Sequence, residues 1–476
     1  MKTIFILLII FGSYWSISAQ RDLEENDPLF ISAYKKYNEK DYKGSYIDYS
    51  SYLAKKPTDA IAMYNRGLCA YEMDDFKDGI TNFTKTIALG RRREEVFYSR
   101  GLCNYQLKNY AVAIADFDTA VALRPSYTDA LTFKGACLNE LKKYSEALVV
   151  LNVAVQSKPG YSNAYYFRAI TKYYLKDYLG SVADCNKSLS LNPFYDIYFW
   201  RGLNYVSMKR YNEAIADYDT VIFHSPKYAK AYYNRAIAYY DTKRYEKALS
   251  DNNKSIELDP TKPEAYYNRA LSKYELGKYK DAEPDFNAAI DLKYDDPKTY
   301  TWRGVNFYYQ GKYSQAIIDL NTAIQKDPQS ENAYYHRALT RYMQADDKGA
   351  IEDCNAALVL KKSNDTYFQR ALSKFQLKDY VGAADDYTES LKLKPDYSQA
   401  ILNRGISYYM LEKDVLAMTD LNRAIELDPK SDKAFYFRGK LKKYMNDVAG
   451  ACSDLKLSQK LGYDKAAEEL IKNGCN

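Results

Sequence analysis

Large apolar and small side chains recur along this chain with a period of 34 residues, most clearly in residues 229–262. When the residues of one period are numbered 1 to 34, large apolar or aromatic groups occupy positions 4 and 11 and a small residue occupies position 8. An aromatic residue follows at 17, a small residue at 20 and proline at 32. Positions 4, 7, 8 and 11 share one face of a helix, and positions 20, 24 and 27 share one face of a second helix. Each period therefore predicts two helices joined by a short polar turn, such as Thr242–Arg244.

The period occurs thirteen times in phase, which predicts one elongated all-α array rather than several globular domains. Position 8 is Gly or Ala, and position 20 is Ala, Ser or Gly, in every copy, so the two helices of a hairpin can approach closely. One hairpin is too small to bury its own core, and stacking on its neighbours must complete it. The copies span residues 26–59, 60–93, 94–127, 128–161, 162–194, 195–228, 229–262, 263–296, 297–330, 331–363, 364–397, 398–431 and 432–465.

This pattern resembles the tetratricopeptide repeat (TPR) over about residues 26–465. The resemblance implies an α-solenoid, a right-handed superhelix of thirteen helix hairpins whose first helices line a concave groove. Residues Asp464–Lys472 predict one further helix that caps the core of the last hairpin. The predicted domains are thus a repeat array at 26–465 and the end of the cap with a tail at 466–476.

Most copies carry a charged pair at positions that face the core. Position 7 is arginine in eleven copies: Arg66, Arg100, Arg168, Arg201, Arg235, Arg269, Arg303, Arg337, Arg370, Arg404 and Arg438. Position 23 is aspartate in ten of these copies: Asp116, Asp184, Asp217, Asp251, Asp285, Asp319, Asp353, Asp386, Asp420 and Asp454. A lone buried charge is strongly disfavoured, and a guanidinium can form two hydrogen bonds with a carboxylate. We therefore expect a structural ladder of Arg–Asp bridges, either within a hairpin or between neighbouring hairpins.

Tyrosine is unusually abundant, with 52 residues against 18 Phe and 3 Trp. Positions 2, 5, 9, 12 and 13 of the first helix lie opposite the core, and in TPR proteins this face lines the groove. The candidate ligand-groove residues are Tyr64, Tyr71, Tyr98, Tyr105, Tyr166, Tyr173, Phe199, Trp200, Tyr233, Tyr240, Tyr267, Tyr274, Trp302, Tyr308, Tyr335 and Tyr342. The alternative interpretation is that these rings pack helix against helix, with their hydroxyl groups reaching solvent.

The resemblance implies protein partners, or an extended peptide as the guest of the groove. TPR domains that clamp a C-terminal carboxylate use lysine at groove positions, and lysine is missing at position 13 in every copy, so that clamp is not expected. A glycan-binding module is the alternative function, because stacked tyrosines also suit sugar rings.

Composition excludes several other functions. The net charge of +6 is spread over interleaved acidic and basic residues, so nucleic acid is not an expected partner. The chain has two histidines, His224 in an expected inter-helix turn and His336 at a groove position, and lacks metal-site, nucleophile-elbow and phosphate-loop motifs. We therefore predict a non-enzymatic scaffold with no cofactor and no metal.

The N-terminus differs from the repeats. Lys2 precedes the apolar run Ile4–Phe11, and small residues lead to Ala19, which predicts a secretory signal at 1–19 followed by a polar lead at 20–25. An uncleaved membrane anchor is the alternative, although the run is shorter than the ~20 residues of a spanning helix. We expect export to the periplasm or cell envelope, or beyond the cell, with no membrane span after cleavage.

Most cysteines occupy packing positions. Cys69, Cys103 and Cys137 stand at position 10, and Cys185 and Cys354 stand at position 24. Equivalent positions in adjacent copies are about 8–10 Å apart, beyond the ~7 Å over which two Cα atoms can be bridged. These five are expected to be buried thiols, and whether Cys452 pairs with Cys475 stays open.

Overall fold

The computed structural model describes residues 27–475, which contain twenty-seven α-helices and no strand. The predicted signal at 1–19 and the polar lead at 20–25 lie outside the described residues. The first fourteen helices are α1 (Pro28–Asn38), α2 (Tyr42–Lys55), α3 (Ala60–Glu72), α4 (Phe76–Ala88), α5 (Glu94–Gln106), α6 (Tyr110–Leu123), α7 (Thr128–Glu140), α8 (Tyr144–Ser157), α9 (Ser162–Tyr174), α10 (Tyr178–Leu191), α11 (Tyr195–Ser207), α12 (Tyr211–His224), α13 (Ala229–Asp241) and α14 (Tyr245–Leu258).

The remaining helices are α15 (Pro263–Glu275), α16 (Tyr279–Asp291), α17 (Pro297–Tyr309), α18 (Tyr313–Lys326), α19 (Glu331–Met343), α20 (Asp347–Leu360), α21 (Asn364–Gln376), α22 (Tyr380–Leu393), α23 (Ser398–Met410), α24 (Asp414–Leu427), α25 (Asp432–Tyr444), α26 (Val448–Lys460) and α27 (Lys465–Lys472). Odd-numbered helices up to α25 are the first helices of the thirteen hairpins, and even-numbered helices are the second. The prediction of an all-α solenoid is confirmed.

The hairpins form two compact units, one ending at Ala238 and the other beginning at Tyr239, so the boundary falls inside α13. Within each unit, the second helix of one hairpin packs on the first helix of the next. First helices of neighbouring hairpins also contact one another, in a row from α3 to α11 in the first unit and from α15 to α21 in the second. Each row therefore presents a continuous surface made of first helices.

The turn between the two helices of every hairpin depends on a left-handed residue at position 15. In the fifth hairpin, Lys176 has φ 63°, and the following Asp177 accepts a hydrogen bond from the Gly180 amide at 2.9 Å. The same turn ends the first helix and starts the second. Position 15 has positive φ in all thirteen hairpins, as Lys40, Asp74, Lys108, Lys142, Lys176, Lys209, Lys243, Gly277, Gly311, Ala345, Lys378, Glu412 and Asn446.

Small residues at position 8 do allow the close approach that the sequence predicts. A Cβ atom built on Gly202 would lie 2.7 Å from the ring of Tyr218, and one built on Gly101 would lie 2.7 Å from the ring of Phe117. Real Cβ atoms do not tolerate such distances, so these rings fill the space that the missing side chain leaves.

The Arg–Asp ladder is present and joins three helices at each rung. In the nine hairpins whose pair lies within one unit, the guanidinium donates two hydrogen bonds to the aspartate of its own hairpin, at 2.5–3.1 Å. Its remaining Nη1 donates to an Asn or Thr at position 25 of the preceding hairpin, at 2.6–3.3 Å. In these nine hairpins the Arg–Asp bridge therefore lies within the hairpin, and the contact between hairpins goes to an Asn or Thr.

Several of these aspartates bind a second cation, which the sequence interpretation missed. Position 11, expected to be apolar, is Lys or Arg in these hairpins and reaches the same carboxylate at 2.8–3.0 Å. The second cations are Lys172, Lys273, Arg341, Lys374 and Lys442. The buried carboxylates are thereby well compensated.

The C-terminal end is closed by α27, as predicted. Ala466 and Leu470 of this helix are buried against Tyr436 and Leu455. Cys452 and Cys475 form a disulfide with a Cα–Cα distance of 5.4 Å, which resolves the open pairing. The other five cysteines are free and buried, as expected. Pro284 lies inside α16, which continues through it, and none of the helices within 27–475 combines the length and apolar character needed to cross a bilayer.

Candidate ligand surface

The candidate surface is the first-helix face, which consists of positions 2, 5, 6, 9, 12 and 13 of the first helices. The aromatic rings at position 4 lie next to this face but contact the arginines of the Arg–Asp ladder. In nine hairpins, the position-7 guanidinium carbon lies 5.2–5.9 Å from the centre of a position-4 ring. Cation–π contact with this ring helps to hold the arginine over its aspartate.

Rings at position 5 pack inwards. Each of five such rings lies against an aromatic ring at position 24 of its own hairpin, with centroids 5.6–6.2 Å apart. Tyr98, Phe199 and Phe368 also contact a tyrosine at position 34, in the turn before the next hairpin, at 5.0–5.2 Å. The position-5 ring therefore fills the space between a second helix and an inter-hairpin turn.

Rings at position 12 close the turn of their own hairpin. In eight hairpins, the ring at position 12 meets the ring at position 17 across the turn, with centroids 5.1–5.9 Å apart. Edge-to-face and tilted contacts of this kind add about 0.5–1.5 kcal/mol beyond the buried area. The aromatic residue at 17 is thus the partner of the one at 12.

The structure divides the sixteen candidate rings into two groups. Tyr71, Tyr98 and Phe199 are buried, with 9%, 3% and 7% exposure, so these three offer no surface to a ligand and the prediction is corrected for them. The half-buried rings, which keep part of their surface open, are Tyr64, Tyr105, Tyr166, Tyr173, Trp200, Tyr233, Tyr240, Tyr267, Tyr274, Trp302, Tyr308, Tyr335 and Tyr342.

Trp200 is the centre of an aromatic cluster in the first unit. Its ring lies 5.7 Å from Tyr173 and 5.9 Å from Tyr174, both edge-to-face. Tyr174 in turn stacks on Tyr144, with centroids 4.6 Å apart and planes 10° from parallel. Tyr174 is 46% exposed, and this open ring at position 13 was not among the predicted residues.

The second unit contains a similar cluster around Trp302. Trp302 lies 5.5 Å from Tyr274, and Tyr274 lies 5.7 Å from Tyr309. Tyr309 stacks on Tyr279 at 5.2 Å and is 52% exposed. Tyr309 also stands at position 13, so this position supplies an open tyrosine to the cluster in both units. Both open tyrosines, Tyr174 and Tyr309, could have been identified from the sequence if position 13 had been examined for aromatic residues as well as for lysine.

Carboxylates at position 2 lie beside the rings of the first-helix face. Asp196 lies in the first turn of α11, is half-buried, and forms no ion pair with a Lys or Arg in the described part of the chain. Loss of solvent raises its pKa to about 6. Burial and then the charge of Asp129 raise the pKa of Tyr161.

The two histidines have unrelated environments. His224 is the last residue of α12 rather than part of a turn, is exposed, and stacks on Tyr195 at 6.3 Å. His336 lies in α19 beside Tyr335, and desolvation lowers its pKa to about 4. Residues 27–475 contain no group of His, Cys, Asp and Glu side chains arranged to hold a metal ion.

Comparison with known families matches much of the chain to repeat models. Models described as tetratricopeptide repeat match residues 70–128, 105–162, 229–262, 252–283 and 368–432, and a model described as TPR repeat matches 202–243 and 304–344. Together these matches cover more than half of the sequence.

Solved structures with a similar fold come from diverse proteins. The APC/C hetero-tetramer Cut9–Hcn1 has 14% identity and a TM-score of 0.48, covering 89% of this chain and 98% of that one. Yeast Tom70 has 17% identity and a TM-score of 0.37, covering 88% and 94%. A tetratricopeptide repeat protein from Parabacteroides merdae has 19% identity and a TM-score of 0.40, covering 52% and 99%. Similarity at this level says nothing about partners or activity.

Proposed function

This chain belongs to the tetratricopeptide repeat family, and from that premise we propose that it is a non-enzymatic scaffold which holds extended peptide segments of partner proteins on its first-helix face. The observation that carries the proposal is the pair of aromatic clusters around Trp200 and Trp302, each of which contains an open tyrosine. Tyrosine and tryptophan offer large contact area at low cost in conformational entropy, which suits the centre of a binding surface.

Packing of the other rings supports the same proposal. Because the rings at positions 5 and 12 are held by partners within the protein, the first-helix face keeps its form without a guest. A surface that is already ordered loses less entropy when it binds, and affinity improves accordingly. An extended peptide can follow such a face over several hairpins.

We further propose that the chain acts after export, in the periplasm or cell envelope. The support is the sequence of residues 1–19, with Lys2, the apolar run and the small residues before Gln20. Mass spectrometry of the protein from an envelope fraction tests this proposal. A mature N-terminus at Gln20 is expected, and an intact Met1 contradicts it.

Fluorescence of Trp200 and Trp302 tests the binding proposal, because both tryptophans lie in the clusters. Three short peptides of equal length, one neutral, one lysine-rich and one glutamate-rich, are titrated into the full mature chain, with a soluble cello-oligosaccharide in parallel. We expect at least one peptide to change the fluorescence and bind. If only the oligosaccharide does so, the scaffold proposal fails and the glycan alternative replaces it.

A matched pair of variants locates the site. Tyr174→Ala removes the open ring beside Trp200 and is expected to weaken peptide binding. Phe223→Ala removes a ring that is 80% exposed on α12, a second helix, and is expected to leave binding unchanged. Equal effects of the two substitutions would contradict a site on the first-helix face.

A further inference from the structure

Along the first helices α3 to α11, the first-helix face has a charge opposite to that of the whole chain. In the first helices α3, α5, α7, α9 and α11, the six positions of this face include five carboxylates and no Lys or Arg. The carboxylates are Glu72, Glu95, Asp129, Glu140 and Asp196. The chain as a whole carries a net charge of +6, so its basic residues are concentrated elsewhere.

These carboxylates differ in whether a residue of the protein already pairs with them. Glu95 pairs with Arg91 at 3.2 Å and lies 3.9 Å from Arg93, and Glu140 accepts a long hydrogen bond from Tyr110. Burial raises the pKa of Glu72, and the positive charge of Lys40 opposes that rise. Asp129 and Asp196 are half-buried and form no ion pair with a Lys or Arg within the described residues, so they are the two partly desolvated carboxylates left for a cation from outside.

Asp196 lies in an aromatic niche. Asp196 stands one helical turn before Trp200 on α11. After burial, the charge of Asp196 also raises the pKa of Tyr166 and of Tyr228. The Phe194 and Tyr166 rings meet with centroids 5.2 Å apart. The niche thus combines one uncompensated negative charge with the electron-rich surfaces of several rings.

Asp129 repeats this arrangement two hairpins earlier. After burial, its charge contributes to the raised pKa of Tyr161 and of Tyr98. Tyr161 stands at position 34 of the same hairpin, as Tyr228 does in the Asp196 niche, and Tyr98 stands at position 5 of the preceding hairpin. A carboxylate at position 2 beside tyrosines at positions 5 and 34 therefore occurs twice in the first unit.

We propose that the guest of the first unit is a basic extended peptide, whose Lys or Arg side chains enter the niches at Asp129 and Asp196. The inference rests on the proposed function and specifies the chemistry of its partner. A guest cation pairs with either carboxylate, and at Asp196 it also contacts the open part of half-buried rings such as Trp200. Both contacts favour positive charge. An acidic or neutral segment makes neither contact.

A carboxylate without a partner is costly to keep half-buried, because it loses hydration without gaining a cation. A guest ammonium or guanidinium supplies the missing partner. Binding of the guest then compensates for the hydration that the carboxylate loses on folding. The interaction is expected to weaken as ionic strength rises.

The test uses the lysine-rich, neutral and glutamate-rich peptides with the full mature chain and follows Trp200, which adjoins the Asp196 niche. We expect the lysine-rich peptide to bind most tightly and to lose affinity in high salt. Asp196→Asn or Asp129→Asn should each weaken its binding about fivefold, as for loss of one partly exposed ion pair. Binding of the neutral peptide should not change.

Glu146→Gln is the charge-matched control, since it removes one negative charge from an exposed ion pair on the second helix α8. It should leave the affinity for the lysine-rich peptide unchanged. If the neutral peptide binds as tightly as the lysine-rich one, or if the niche variants match Glu146→Gln, the basic-guest inference fails while the scaffold proposal survives. If no peptide binds at all, both fail.

Discussion

Asp196 shows how a single residue can oppose folding in a way that suits binding. Its carboxylate is half-buried beside tyrosines and has no basic partner in the described part of the chain. The folded state therefore favours the protonated form, and the pKa rises from 3.8 to about 6. At neutral pH the charged form destabilises the fold, and the chain retains it nonetheless.

Asp196→Asn is expected to stabilise the protein at pH 7 by about 1–2 kcal/mol, after allowance for partial exposure. Because the folded pKa is raised, this difference from the parent chain is largest above pH 6 and vanishes as pH falls towards 3.8. Urea unfolding of both proteins at pH 7 and pH 4 measures it. A variant that is less stable than the parent at pH 7 would contradict the assignment.

The candidate rings show what a sequence can and cannot indicate at the level of the residue. The period correctly placed aromatic groups at positions 5 and 12, and the resemblance assigned them to a groove. Their partners at positions 24, 34 and 17 are equally periodic, but only the crossing of the helices decides which rings meet. Tyr98 is consequently buried, whereas Tyr174, outside the predicted set, is open.

Among the elements, the turn inside each hairpin depends most on one backbone conformation. Position 15 is left-handed in all thirteen hairpins, yet it is glycine only at Gly277 and Gly311. The sequence indicated a polar turn and did not reveal this requirement, because lysine is the commonest residue there. Hydrogen bonds such as that from the Asp177 amide to the Lys172 carbonyl, at 2.9 Å, maintain the conformation in the other copies.

Gly311→Ala is expected to lower the free energy of unfolding by about 1 kcal/mol, because alanine is strained at φ 73°. Gly160→Ala is the matched control: Gly160 has no positive φ and nothing close to an added Cβ. That substitution should be neutral or stabilising by about 0.5 kcal/mol, through the unfolded chain. Equal effects of the two changes in thermal or urea unfolding would contradict the role of position 15.

The capping helix α27 is held by both packing and a covalent bond. The disulfide between Cys452 and Cys475 closes a short segment of chain, so its removal should destabilise this end by about 2–4 kcal/mol. Hydrogen exchange of Cys475→Ser should therefore show faster exchange in α27, with exchange in α3 unchanged. Unchanged protection of α27 would mean that packing of Ala466 and Leu470 alone suffices.

For the whole molecule, the repeat period explains how much could be predicted. Thirteen phased copies fix the helix pairing, the stacking order and the position of the cap, because each hairpin has only its neighbours to pack against. The ladder was predicted from Arg and Asp at fixed positions. Its second acceptor at position 25 was missed because Asn and Thr there look like ordinary surface residues. The second cation was missed because position 11 was assigned to the apolar core face.

Asp319→Ala tests how much the ladder stabilises the fold, because Asp319 accepts two hydrogen bonds from Arg303. Removal of the carboxylate leaves a half-buried guanidinium without its main acceptor and should cost about 3–5 kcal/mol. The double variant Asp319→Ala with Arg303→Met should regain most of this loss. Glu257→Ala, in an exposed pair with Lys254, should change the unfolding midpoint little. A single substitution at Asp319 as mild as that at Glu257 would rule out a stabilising ladder.

Each ladder arginine also binds the preceding hairpin, and this has a consequence for how the array comes apart. When one hairpin opens, its arginine releases an Asn or Thr on the neighbour, such as Asn287 beside Arg303. The neighbour then has an exposed core and a broken polar contact at the same time. Hairpins should accordingly melt in groups instead of peeling away one by one, and intermediates that lack a single terminal hairpin should be scarce.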